Sequence, residues 1–166
     1  MQKRIGVIGS AECPATTSTL AEEVGSLIAE RGGVLITGGL SGVMEAACRG
    51  AKAAGGLTVG ILPGFDAYEA NPFVDIPIVT GLSHARNVIV VRSAEGIIAI
   101  EGGYGTLSEI AFALKIGRPI VGINTWQIVP QIIHARDAKE AVRKIFEAIA
   151  PKEKAVKSGE VSSNRS

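Results

Sequence analysis

The stretch Ile97-Ile98-Ala99-Ile100-Glu101-Gly102-Gly103-Tyr104-Gly105-Thr106-Leu107-Ser108-Glu109 decides the fold. Its unbroken apolar opening reads as a strand buried on both faces. The glycines that follow let backbone N–H groups approach a ligand closely, and the spacing from Leu107 to Ile116 is helical. Strand, glycine loop and helix start together make an anion site, because a helix N-terminus adds roughly half a positive charge. Thr106 and Glu109 also fit S/T-x-x-E, a capping box. Glu109 is therefore a cap, a catalytic carboxylate, or both.

The same pattern recurs outward from this stretch. Ile5 to Ser10 is a strand running into a loop at Gly9-Ser10. Thr19 to Glu22 reads as a second capping box, opening a helix with Leu20, Val24, Leu27 and Ile28 at helical spacing. Val34 to Thr37 is a strand that runs into Gly38-Gly39-Leu40-Ser41-Gly42, and Val43 to Ala54 is helical. Leu57 to Leu62 is a third strand, and Phe65 to Asp75 is a loop long enough to serve as a lid. Ile76 to Val79 is a short strand, Leu82 to Ser93 a buried helix, Ile120 to Ile123 a strand and Ile132 to His134 a last short one. Asp137 caps a final helix with a stripe at Ala141, Val142, Ile145, Phe146 and Ile149. The alternation implies one Rossmann-like α/β domain over residues 1–150, an open parallel sheet with helices on both faces, then a disordered polar tail over 151–166. Such sheets bind ligands at the carboxyl ends of their strands, where the three glycine loops should meet.

Composition narrows the function. The 166 residues suit one domain, and 46% hydrophobic with only 4% aromatic residues requires a core of Ala, Val, Ile and Leu. A net charge of +1 without a dense Lys/Arg run disfavours nucleic acid. Cys13 and Cys48 have neither metal-ligand spacing nor a C-x-x-C pattern, which fits a reduced, cytoplasmic setting and predicts no metal. No leader peptide is apparent, and no apolar stretch approaches the ~20 residues of a membrane span.

Two segments carry a family resemblance. Gly38-Gly39-Leu40-Ser41-Gly42-Val43-Met44 resembles GGGxxGLM, and Gly102 to Glu109 resembles PGGxGTxxE. Both motifs belong to the "lonely guy" family of cytokinin-activating phosphoribohydrolases, a superfamily that includes molybdenum cofactor carrier proteins and, more distantly, the DNA-processing DprA fold. The resemblance covers roughly residues 4–150. It implies a homo-oligomer, dimer or tetramer, and a phosphorylated small-molecule ligand. It also implies catalytic roles for Arg86 and Glu109, which lie 23 residues apart as in the family pattern. The implied reaction cleaves the N-glycosidic bond of a nucleoside 5′-monophosphate, with Glu109 stabilising positive charge on the ribose or positioning water. Ligand or phosphate contacts fall to Gly9, Ser10, Gly38, Gly39, Gly42, Val43, Met44, Asn87, Gly102, Gly103, Tyr104, Gly105 and Thr106.

The chain departs from the enzymes twice. Glu101 stands where they have proline, and Arg86-Asn87 where they have Arg-Lys. A carboxylate beside a phosphate cradle weakens anion binding unless something neutralises it, and the missing lysine removes a cation. Both changes point to the carrier branch. A lysine decarboxylase is excluded, because Ser83-His84-Ala85-Arg86 offers no lysine for a cofactor aldimine. His84 reads as a structural histidine, Cys13 as an inert thiol and Trp126 as core or interface; Asn87 either contacts a ligand or caps a helix. The expected function is therefore binding of a phosphorylated nucleotide-like ligand, a nucleoside monophosphate or the molybdenum cofactor, with no cofactor required for it. The phosphoribohydrolase is the alternative, and single-stranded DNA binding a third class against which the charge argues.

Overall fold

A computed structural model describes residues 1–151, so the tail expected over 151–166 lies, from residue 152 on, outside the described residues. Seven strands form one sheet: β1 (Arg4–Gly9), β2 (Val34–Thr37), β3 (Thr58–Leu62), β4 (Ile76–Val79), β5 (Gly96–Ile100), β6 (Ile120–Ile123) and β7 (Ile132–His134). All pair in parallel in the order β4-β3-β2-β1-β5-β6-β7. Strand order turns around between β1 and β5, and their carboxyl ends open the crevice where doubly wound sheets bind ligands. The helices are α1 (Ala15–Glu30), α2 (Val43–Ala53), α3 (Asn87–Ser93), α4 (Tyr104–Lys115) and α5 (Ala138–Ala148).

Alternate residues of each central strand supply two cores. Ile5, Val7, Ile98, Ile100, Val121 and Ile123 face α1, α2 and α5, whereas Ile8, Ile97, Ala99 and Ile120 face α3 and α4. This two-sided burial explains why the strands read as unbroken apolar runs rather than alternating ones. Asp137 caps α5 as expected, accepting from Glu140 N at 2.8 Å. The segment expected as a loop over Phe65 to Asp75 holds one 3₁₀ turn, Ala67–Glu69.

Both expected capping boxes are wrong. α1 begins at Ala15 after Pro14, so Thr19 lies inside the helix and its hydroxyl donates to Ala15 O at 3.0 Å. α4 begins at Tyr104 with Gly103 as its cap, three residues earlier than the apolar spacing indicates. Thr106 and Glu109 therefore sit within the helix, both buried, and neither caps it. An extended glycine before a helix needs no side-chain signal, and that is why the start was hidden.

α1 and α2 approach through two glycines. A Cβ on Gly25 would stand 1.9 Å from Ala47 O, and one on Gly50 would stand 1.8 Å from Glu22 O. Each helix thus lays bare backbone against the other's carbonyl. Gly25→Val or Gly50→Val is expected to destabilise the chain by about 2–3 kcal/mol or more through overpacking. Urea denaturation measures this, and a loss below ~0.5 kcal/mol at both positions would contradict the contact.

Candidate functional site

The strand ends and helix starts around β1 and β5 enclose a cleft of about 280 Å³. Gly9 and Ser10 enter from the end of β1, and Gly38 and Met44 from the β2–α2 connection. Arg86 and Asn87 enter from a 3₁₀ turn, Ser83–Arg86, that leads into α3, and Gly103, Gly105, Thr106 and Glu109 from α4. The cleft therefore gathers ten of the residues singled out from the sequence.

The others lie elsewhere, for packing reasons. Gly42 has φ +65, and a Cβ there would meet Ser10 O at 2.3 Å. Val43 follows it, donating its N–H to Ser10 O at 3.0 Å, and both residues brace the β1–α1 loop from behind. Gly39 takes hydrogen bonds from the Asn71 backbone and side chain on its carbonyl. Gly102 lines a neighbouring recess, and Tyr104 is 84% exposed with its ring against Trp126. Sequence reasoning missed Val7, Ile8, Ala11 and Leu40 in the cleft wall, and His84, which is exposed at the cleft rather than structural.

Arg86 is the central charge of the cleft and is buried. Its guanidinium donates to Gly38 O at 3.3 Å and to Asn87 Oδ1, while Nε is buried without a partner. Room for it exists because Gly38 has no side chain; a Cβ would lie 2.6 Å from an Arg86 terminal nitrogen. Asn87 Nδ2 then donates to Ser108 Oγ at 3.0 Å, and Ser108 Oγ donates to Gly105 O at 2.6 Å. Asn87 thus ties Arg86 to α4. Its place at the first position of α3 gives it an orienting role, in addition to whatever contact it makes with a ligand.

The start of α4 offers further donors. The first helical bond runs from Leu107 N to Gly103 O, so the amides of Tyr104, Gly105 and Thr106 have no intrahelical acceptor, and no side chain caps them. Above Gly103 and Gly105 a Cβ would meet nothing within 4 Å. These two glycines face open space, unlike those that brace the packing.

Glu109 closes the inner end, 6% exposed and outside every ion pair among the described residues. Burial raises its carboxyl to about 8, against the opposing pull of Arg86. Burial likewise lowers the Arg86 guanidinium from its usual value, with Glu109 acting the other way. Glu101 lies outside this cleft: its Oε1 accepts from Thr17 Oγ1 at 2.7 Å. Glu101 thus flanks the cleft without lining it, in a recess that shares Ser10 and Gly103 with it.

Residues 2–155 match the SLOG cluster4 family, and the chain belongs to it. It is 49% identical over 139 residues to an uncharacterized protein of Archaeoglobus fulgidus, covering 84% of this chain and 91% of that one. It is 37% identical over 116 residues to the cytokinin riboside 5′-monophosphate phosphoribohydrolase of Mycobacterium tuberculosis, an alignment spanning 64% of this chain and 62% of that enzyme. Among solved structures it resembles the molybdenum cofactor binding protein of Rippkaea orientalis, with TM-score 0.85, 39% identity, and 90% and 98% of the two chains covered. DNA processing protein A of Helicobacter pylori, at 14% identity and TM-score 0.68 over 88% and 81% of the chains, shares the fold alone. No helix among the described residues is long and apolar enough to cross a membrane.

The raised Glu109 fixes a pH dependence. The folded chain holds this proton more tightly than an unfolded chain, whose carboxyl titrates near 4.5. That contribution to stability is complete below pH 4.5 and is lost as pH rises through about 8. Relative to Glu109→Gln, the wild-type chain should therefore lose several kcal/mol of stability between those values and stay level above them. Denaturation midpoints across pH for the two proteins test this; parallel profiles would show that Glu109 titrates normally.

Proposed function

We propose that this chain binds a phosphorylated nucleotide-like ligand in the cleft, with the molybdenum cofactor the first candidate. The observation that carries the reading is the open space over Gly103 and Gly105, in a cleft lined both by the free amides of α4 and by the buried Arg86. Those donors fit the oxygens of a phosphate: backbone amides bind it without a counter-charge, and the guanidinium supplies one. The solved structure described as a molybdenum cofactor binding protein, similar over nearly its whole length, supports the cofactor as cargo.

The phosphoribohydrolase is the second reading, favoured by Arg86 and Glu109 lining one cleft and by the relationship to the mycobacterial enzyme. Cleaving the N-glycosidic bond with water leaves the proton on the base and the hydroxyl on the ribose, and positive charge grows on the sugar as the bond breaks. An uncharged Glu109 stabilises that charge less than a carboxylate would, and this is why binding stands first. Either role fits a homo-oligomer, and the exposed edge of β4, with Ile76, Ile78 and Val79 each more than 40% accessible, supports one. Light scattering after size exclusion checks the assembly.

Calorimetric titration with AMP, GMP and a pterin monophosphate tests the first reading. At least one should bind and be recovered intact, and Arg86→Ala should weaken it by about ten- to a hundredfold, the loss of a charged hydrogen-bond donor. Release of free base that disappears in Glu109→Ala would instead establish the hydrolase; binding of none of the three would end the binding proposal.

A further inference from the structure

A second recess of about 690 Å³ adjoins the cleft and shares Ser10 and Gly103 with it. Glu101 and Gly102, at the end of β5, form one side; Asn124, Thr125 and Trp126, after β6, form the other. Glu101 holds left-handed backbone at φ 48, a conformation that favours glycine, in a loop already rich in glycine. Asn124, on the other side of the recess, is left-handed too, and the two are among three such non-glycine residues in the described part of the chain.

The surroundings of Glu101 orient its carboxylate. Thr17, 2% exposed, donates its hydroxyl to Oε1 and fixes the carboxylate from behind. Among the described residues no protein donor takes Oε2. On the opposite wall the half-buried Trp126 donates Nε1–H to Gly102 O at 3.2 Å and to Gly103 O at 3.3 Å. Thr125 Oγ1 takes Glu101 O at 2.5 Å. The loop's carbonyls are thus engaged from the β6 side. The Trp126 ring also stacks with Tyr104, with centroids 6.1 Å apart and planes at 29°.

An oriented carboxylate across from an aromatic pair suits a planar heterocycle that presents two adjacent N–H donors. We propose that this recess is a heterocycle subsite for the 2-amino-4-oxo edge shared by guanine and pterins. Glu101 accepts from the ring N–H and the exocyclic amino group, while Trp126, backed by Tyr104, flanks the ring. This rests on the phosphate reading above, with the phosphate in the cleft and the ring next door. Adenine places a ring-nitrogen lone pair against the carboxylate, and hypoxanthine lacks the amino group. Both should be rejected, because a polar site left partly unpaired discriminates strongly.

Trp126 is the only tryptophan, so its fluorescence reports on this recess. Calorimetry on the full chain with ribose 5-phosphate, AMP, IMP, GMP and a pterin monophosphate gives affinities, and fluorescence gives location. GMP, the pterin, or both should bind at least about tenfold tighter than AMP and IMP and quench Trp126. Whichever of the two binds tighter identifies the source of the edge. Glu101→Gln should erase the preference; if that variant melts early, Thr17→Val, which releases the carboxylate, should reduce it. Equal affinity for GMP, AMP and the pterin, or a preference that survives Glu101→Gln, overturns the subsite while ribose 5-phosphate binding upholds the phosphate reading. Failure of every probe to bind overturns both.

Discussion

The sheet around β1 and β5 is covered on both faces, so Ile5, Ile8, Ile97, Ile98 and Ile100 are all close to 0% exposed whichever way they point. Polar groups have no place along such strands, since burying one unpaired costs on the order of 1–3 kcal/mol. They enter only where strands stop. Arg86, Asn87, Thr106 and Glu109 are among the few buried polar residues of the chain, and all four line the same cleft. Dry sheet faces thus set where chemistry can be done, and the reversal of strand order between β1 and β5 leaves the gap that admits it.

Within that gap burial holds Glu109 and Arg86 in unusual states. Each is buried and each opposes the other's shift, yet they form no ion pair, and the carboxyl keeps its proton near neutrality. A protonated Glu109 adds an O–H donor to the N–H donors of the guanidinium. That polarity suits an incoming anion, and the same pair would need Glu109 to ionise before it could steady a sugar cation.

Much of the fold was legible because runs of branched apolar residues bounded by glycine leave few alternatives to buried strands. Even Leu82 to Ser93, where Val88 to Val91 has strand propensity, proved helical: a 3₁₀ turn running into α3. The helix starts were not legible. Thr19 and Thr106 sit in S/T-x-x-E patterns, but their helices had already begun, at Ala15 and Tyr104. Arg86 was reached through resemblance rather than through its own spacing, and Glu109 through a capping pattern that it does not fill. The bracing role of Gly42 was hidden because it depends on a carbonyl from another loop, at Ser10. The Thr17–Glu101 bond joins residues 84 apart, and no local pattern marks it.

The bracing of the β1–α1 loop has one more consequence. Val43 N–H donates to Ser10 O, Ser41 Oγ donates to Ala11 O at 2.8 Å, and Gly42 packs against both carbonyls, so the loops after β1 and β2 form one wall. Arg86 spans from that wall at Gly38 to Asn87, and Asn87 reaches Ser108 on the facing helix. The width of the cleft is therefore set when the chain folds. A ligand entering it loses its own freedom but orders little of the protein, which favours tight binding and places most of the discrimination between ligands in how fast each one leaves.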